Sequence, residues 1–153
     1  MPTMRLSQTL RTAALALAIA LPSVAAVAAE PREMTQAQVN ETLRNTPDIY
    51  NALYLAALVN EIARRCDDLR GPGRLARTSY FLGLYHQGRR LGFSRAQMEA
   101  FVEDKGERAR MTTLVRNYIE ARGARMEDSA SICALGRAEM AARTDIGQRL
   151  SER

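Results

Sequence analysis

The sequence predicts an all-α protein, a small compact bundle of four to six helices closed by one intrachain disulfide. Three observations lead there. Apolar residues recur every three or four positions in successive stretches, as they do on one face of a helix. Turn residues separate those stretches, and no apolar/polar alternation marks a strand. Only two cysteines are present, an even count in a chain that carries an export signal.

That signal is the first element. Residues 1–29 read as a cleaved secretory signal peptide. "MPTMRLSQTLR" holds Arg5 and Arg11 and no acid, and "AALALAIAL" is a short apolar run before Pro22. Val27 and Ala29 are small residues at −3 and −1 of a cut before Glu30. The apolar run is short for a bilayer span. No adjacent arginine pair precedes it and no cysteine follows, so the general secretory route to the periplasm is expected, without a lipid anchor. The cut leaves 124 residues, enough for one domain with a core, and lowers the net charge from +5 to +3.

Residues 30–45 are expected to form a loosely ordered arm, since apolar content is thin there; Thr35 with Gln38 has capping-box spacing, so a short helix is expected to start there. Residues 46–150 are expected to form a single helical domain. Thr46, Pro47 and Asp48 open its first helix: a cap, a first-turn proline and an acid at the positive end of the dipole. Ile49, Leu53, Ala56, Val59, Ile62 and Cys66 share its inner face. Gly71, Pro72 and Gly73 break the chain. A second helix follows over roughly 74–91, with Arg77, Tyr80, Phe81, Leu84, Gly88 and Leu91 on one side and Gly92 as a left-handed stop. Ser94 with Gln97 is another capping box, Phe93 can staple to Met98, and Met98, Phe101 and Val102 form the inner edge. Met111, Leu114, Val115, Tyr118 and Ile119 repeat with helical spacing up to Gly123. Asp128 or Ser129 opens a last helix with Ile132, Cys133, Gly136 and Met140. Arg137 and Glu139 are expected at its surface, and Ile146 and Leu150 dock the tail.

The cysteines come first among chemical candidates. In an oxidising compartment the expected state is a Cys66–Cys133 bridge, both residues facing inward by periodicity. The alternatives are a reactive thiol at Cys133, favoured by a helix N-terminus, and a bridge between chains. A redox pair usually has C-x-x-C spacing, which is absent from the chain.

Other chemistry has little to stand on. His86 is the only histidine and is placed on the outer side of its helix. Neither a G-x-S-x-G nucleophile turn nor a zinc-ligand set accompanies it. The methionines are scattered as core packing, and the acids sit at turns or on solvated faces. "GPGR" is too short for a phosphate loop. No catalytic residue, metal or cofactor is therefore expected.

The residues also resemble a known family. "CALGRAEMAARTDIGQRL" at 133–150 is similar to the C-terminal signature of a small exported family of Gram-negative bacteria, the domain of unknown function numbered 5333. Ile49, Asn51 and Leu53 match its Ile-x-Asn-x-Leu start, Ile62 and Cys66 its Ile-x-x-x-Cys close, and Leu91, Gly92 and Phe93 its Leu-Gly-aromatic step. The likeness covers nearly all of 48–150. The family tends to place an arginine about six residues after the first cysteine; Arg70 and Arg74 stand here instead. The resemblance implies a helical secreted protein with two paired cysteines, and no activity.

The expected function is that of a non-enzymatic periplasmic protein which binds a partner protein or envelope component. The runner-up is an arginine-mediated binder of anionic membrane surfaces, using Arg64, Arg65, Arg89 and Arg90. An enzyme with a site lacking histidine is third. Nucleic acid is an unlikely partner, since export separates the two and no recognition element is present.

Overall fold

The computed structural model describes residues 34–153, and the expected signal peptide at 1–29 lies outside the described residues. Six helices are present there: α1 (Gln36–Arg44), α2 (Pro47–Arg65), α3 (Arg74–Arg90), α4 (Arg95–Glu103), α5 (Lys105–Ala121) and α6 (Ser129–Ala141). The fold is all-α, as the periodicity predicts. Among the described residues no helix is long and apolar enough to cross a membrane.

The caps explain where the helices start. Both capping boxes form: Gln38 N–H donates to Thr35 Oγ1 at 3.3 Å, and Gln97 N–H to Ser94 Oγ at 3.1 Å. Pro47 is the first residue of α2, but Thr46 does not cap it; its hydroxyl donates back to Thr42 O at 2.8 Å. Asp104 caps α5 through Glu107 N–H, and Asp128 caps α6 through Ala130 and Ser131. Gly92 and Gly123 stop α3 and α5 at φ 91° and 78°. In each stop the next residue's N–H, of Phe93 or Ala124, returns to a carbonyl five residues back, so the last carbonyls are satisfied.

Two apolar clusters form the interior. The larger joins α2, α5, α6 and the tail around Leu58, Ile62, Leu69, Ile119, Ile132 and Leu150. The smaller joins α1, the start of α2 and α4 around Val39, Leu43, Ile49, Phe93 and Phe101. Cys66 and Cys133 are bonded across the larger cluster, with Cα atoms 5.1 Å apart.

Four expectations are corrected. The arm is not loose over 36–44: α1 is docked, with Val39 and Leu43 buried against Phe93 and Phe101. Two apolar residues one turn apart suffice when a ready surface covers them. The chain also has strands, β1 (Leu69–Arg70) and β2 (Ser151–Glu152), paired antiparallel with Leu69 opposite Glu152. Two residues are too few to show alternation in sequence. Glu139 is buried rather than at the surface. In α3 only Gly88 is buried, while Phe81 and Leu91 of the expected inner stripe are about half exposed.

Candidate functional site

The exposure of α3 follows from how it is held. The Tyr80 hydroxyl donates to Ala52 O of α2 at 2.9 Å. Gly88 lies against Met98 Sδ so closely that a Cβ there would overlap the sulfur. Between these anchors and its N-terminus, α3 stands off from the body of the protein.

The space left is an apolar groove of about 790 Å³. Leu43, Ile49 and Leu53 contribute from α1 and α2, and Met98, Phe101 and Val102 from α4. The α3 side consists of Arg74, Arg77, Thr78, Phe81, Leu82, Leu84 and Tyr85. Phe81, Leu82 and Val102 are 47%, 51% and 49% exposed, so large apolar side chains meet solvent along one groove. Scattered apolar residues on a surface need no explanation, but a contiguous set does. Sequence reasoning placed Phe81 and Val102 on inner faces and Leu82 on the outer side beside His86, because periodicity shows which residues share a face and not what covers the face.

Arginines bound the groove. Arg95 is paired with Glu99 at 2.6 Å. The side chains of Arg74 and Arg77 have no ion-pair or hydrogen-bond partner among the described residues. A second cavity of about 150 Å³ shares Leu53, Phe101 and Val102 with the groove and is also lined by Tyr50 and Glu107. The Tyr50 hydroxyl and Glu107 Oε2 are buried there without a hydrogen bond. Burial, and then the nearby Glu107 charge, hold the Tyr50 hydroxyl above its ordinary pKa.

The sequence-predicted candidates fall elsewhere. Cys66 and Cys133 are spent on the bridge, and the described residues hold no free cysteine. Asp68 lies beside the two sulfurs, but bonded sulfurs are not thiolate ligands, and Arg137 takes the Asp68 carboxylate at 2.6 Å. His86 is exposed, edge-on to Tyr85. Arg64 and Arg65 pair with Glu61, Arg65 also donates to Met126 O, and Arg89 donates to Phe93 O.

One polar network was missed from sequence. The Glu139 carboxylate accepts from the Tyr118 hydroxyl at 2.6 Å, Arg122 Nη1 at 2.8 Å and the Thr144 hydroxyl at 2.5 Å. It ties α5, α6 and the tail together. Burial first, then the hydrogen bond to Glu139, pushes the Tyr118 pKa up to about 12. Both hydroxyls and one Arg122 N–H are spent on Glu139, so the network acts as a clasp.

Comparison with curated proteins found no match, and comparison with solved structures found none. A family model does match residues 41–151, across α2 to α6 and the disulfide, and the chain belongs to that family, described as a family of unknown function, DUF5333.

Proposed function

We propose that this is an exported, non-enzymatic binding protein of the periplasm that holds an apolar partner in the groove between α3 and α4. The observation that carries this reading is the groove itself, walled by half-exposed Phe81, Leu82 and Val102. Its volume lies within the range of small-molecule sites, about 300–1,000 Å³. An enzyme would call for a deep polar pocket with converging acids or arginines; Arg74, Arg77, Arg95 and Glu99 are among the lining residues here, but the lining is chiefly apolar. The disulfide is in keeping with an oxidising compartment. The membrane-surface alternative draws less support, because three of its four arginines, Arg64, Arg65 and Arg89, are engaged within the chain and Arg90 alone stands exposed without a partner among the described residues.

A neutral apolar dye such as Nile red tests the groove. It should bind with one-to-one stoichiometry, and Phe81→Arg should weaken it about tenfold or more without lowering Tm, since Phe81 is exposed. Dye binding that is unchanged in Phe81→Arg would remove the groove from the function. Export is tested separately by mass: the periplasmic protein should begin at Glu30.

A further inference from the structure

We infer that the groove binds a single acyl chain whose anionic headgroup is held by Arg74 and Arg77. This rests on the groove being a binding site, and names its ligand class.

The charge pattern comes first. Most arginines of the described chain are answered by a carboxylate or a backbone carbonyl: Arg44 by Glu107, Arg122 by Glu139, Arg137 by Asp68 and Glu152. Arg74 and Arg77 line the groove and are not. Three residues apart on one helix, their Cβ atoms are about 5–6 Å from each other. They also stand in the first turn of α3, where cations oppose the helix dipole. That turn holds no acid, and Gly73 gives it no side-chain cap. Two like charges at the positive end of a helix are a local cost that an anion would relieve. Departures from local rules of this kind concentrate at functional sites. At the other end of the groove Arg95 is neutralised by Glu99, so the unanswered charge is confined to one end.

The shape selects the body of the ligand. Arg74 and Tyr85 are eleven residues apart on α3, or about 16 Å along its axis. The unanswered arginines stand at one end of the lining, which suits a ligand with one charged end. An extended peptide would bring a row of backbone N–H and C=O groups to a lining that offers mainly the hydroxyls of Thr78 and Tyr85. An acyl chain needs no hydrogen bonds. Its carboxylate can take the paired, charge-assisted bonds that guanidinium groups make best.

The test uses calorimetry of the purified protein with dodecanoate and dodecanol, both below aggregation. Dodecanoate should bind one per chain and about tenfold or more tighter than dodecanol. Arg74→Gln with Arg77→Gln should erase that preference while dodecanol still binds, and Tm should be no lower, since two cations are removed from the positive end of the helix dipole. Equal affinities for the two in the unaltered protein would overturn the anionic headgroup while leaving the apolar groove in place. An acidic amphipathic peptide that binds where dodecanoate does not would overturn the acyl chain in favour of a protein partner. Binding to anionic phospholipid vesicles with none to free dodecanoate would overturn it in favour of a membrane surface. Nile red binding, read in parallel, separates each of these from failure of the groove itself.

Discussion

Glu139 is 2% exposed, yet its carboxylate accepts hydrogen bonds from three donors. Its backbone is equally confined, since a Cβ on Gly147 would overlap the Glu139 carbonyl. Replacing Glu139 by Ala leaves the Tyr118 hydroxyl without its acceptor and the Thr144 hydroxyl with only the longer contact to the residue 139 carbonyl at 3.4 Å. Urea denaturation of Glu139→Ala should show a loss of about 2–3 kcal/mol. The same network sets an alkaline limit. Burial and the Glu139 carboxylate raise the Tyr118 pKa from 10.0 to about 12 in the folded chain. The folded state therefore holds the phenol proton more tightly than the unfolded state does. The stability this lends is complete below about pH 10 and is lost as pH rises toward 12. Burial raises Tyr50 and Tyr54 in the same direction, so the decline is shared. Tyr118→Phe should shallow the fall in denaturation midpoint between pH 10 and 12, and an unchanged slope would exclude Tyr118 as a contributor. None of this was legible in "ALGRAEM": a glutamate among small residues reads as solvated, and its donors lie 21, 17 and 5 positions away.

Helix boundaries were legible wherever a side chain writes them. Thr35–Gln38 and Ser94–Gln97 carry their own geometry, and Gly92 and Gly123 adopt the left-handed conformation that glycine tolerates. The third stop was not legible, because an arginine occupies it. Arg143 has φ 51°, and Thr144 N–H returns to Glu139 O at 3.2 Å in the same pattern. The conformation is imposed by the tail docking through Ile146 and Leu150, at a backbone cost for any residue with a Cβ. Arg143→Gly should therefore raise stability by roughly 0.5–1 kcal/mol in urea denaturation. A loss would mean that the Arg143 side chain stabilises the turn. In α3 the difficulty is reversed. Its apolar stripe is plain in "RLARTSYFLGLY", but nothing local says that α2 and α4 leave that stripe uncovered.

At the scale of the molecule, the disulfide joins the end of α2 to the first turns of α6 across 67 positions. Closing a loop of that length in the unfolded chain is worth about 4 kcal/mol on the chain-entropy model. Cys66→Ser with Cys133→Ser should lower the stability by about that amount, measured in urea without reductant. A loss under about 1 kcal/mol would show that the packing of Ile62, Leu69 and Ile132 holds the ends together unaided. The bridge passes beside a tight approach. A Cβ on Gly136 would lie 2.5 Å from Leu69 Cδ1 and 2.8 Å from Ile62 Cγ2, so glycine is what lets α6 settle on α2. The nearby β1–β2 pair and Arg137, which reaches Asp68 and Glu152, fasten the C-terminal residues to the same corner.

By itself the sequence determined the helical class, the caps at Thr35 and Ser94, a last helix opening at Asp128 or Ser129, the glycine stops and the pairing of two inward cysteines. Each of these depends on contacts within a few residues, or on a count of two. Only the tertiary structure decided that α1 is docked, that Glu139 is buried, and that the α3 stripe lines an open groove with Arg74 and Arg77 at one end. Burial is a property of what lies opposite a face. That partner comes from distant parts of the chain, whose approach no local spacing records.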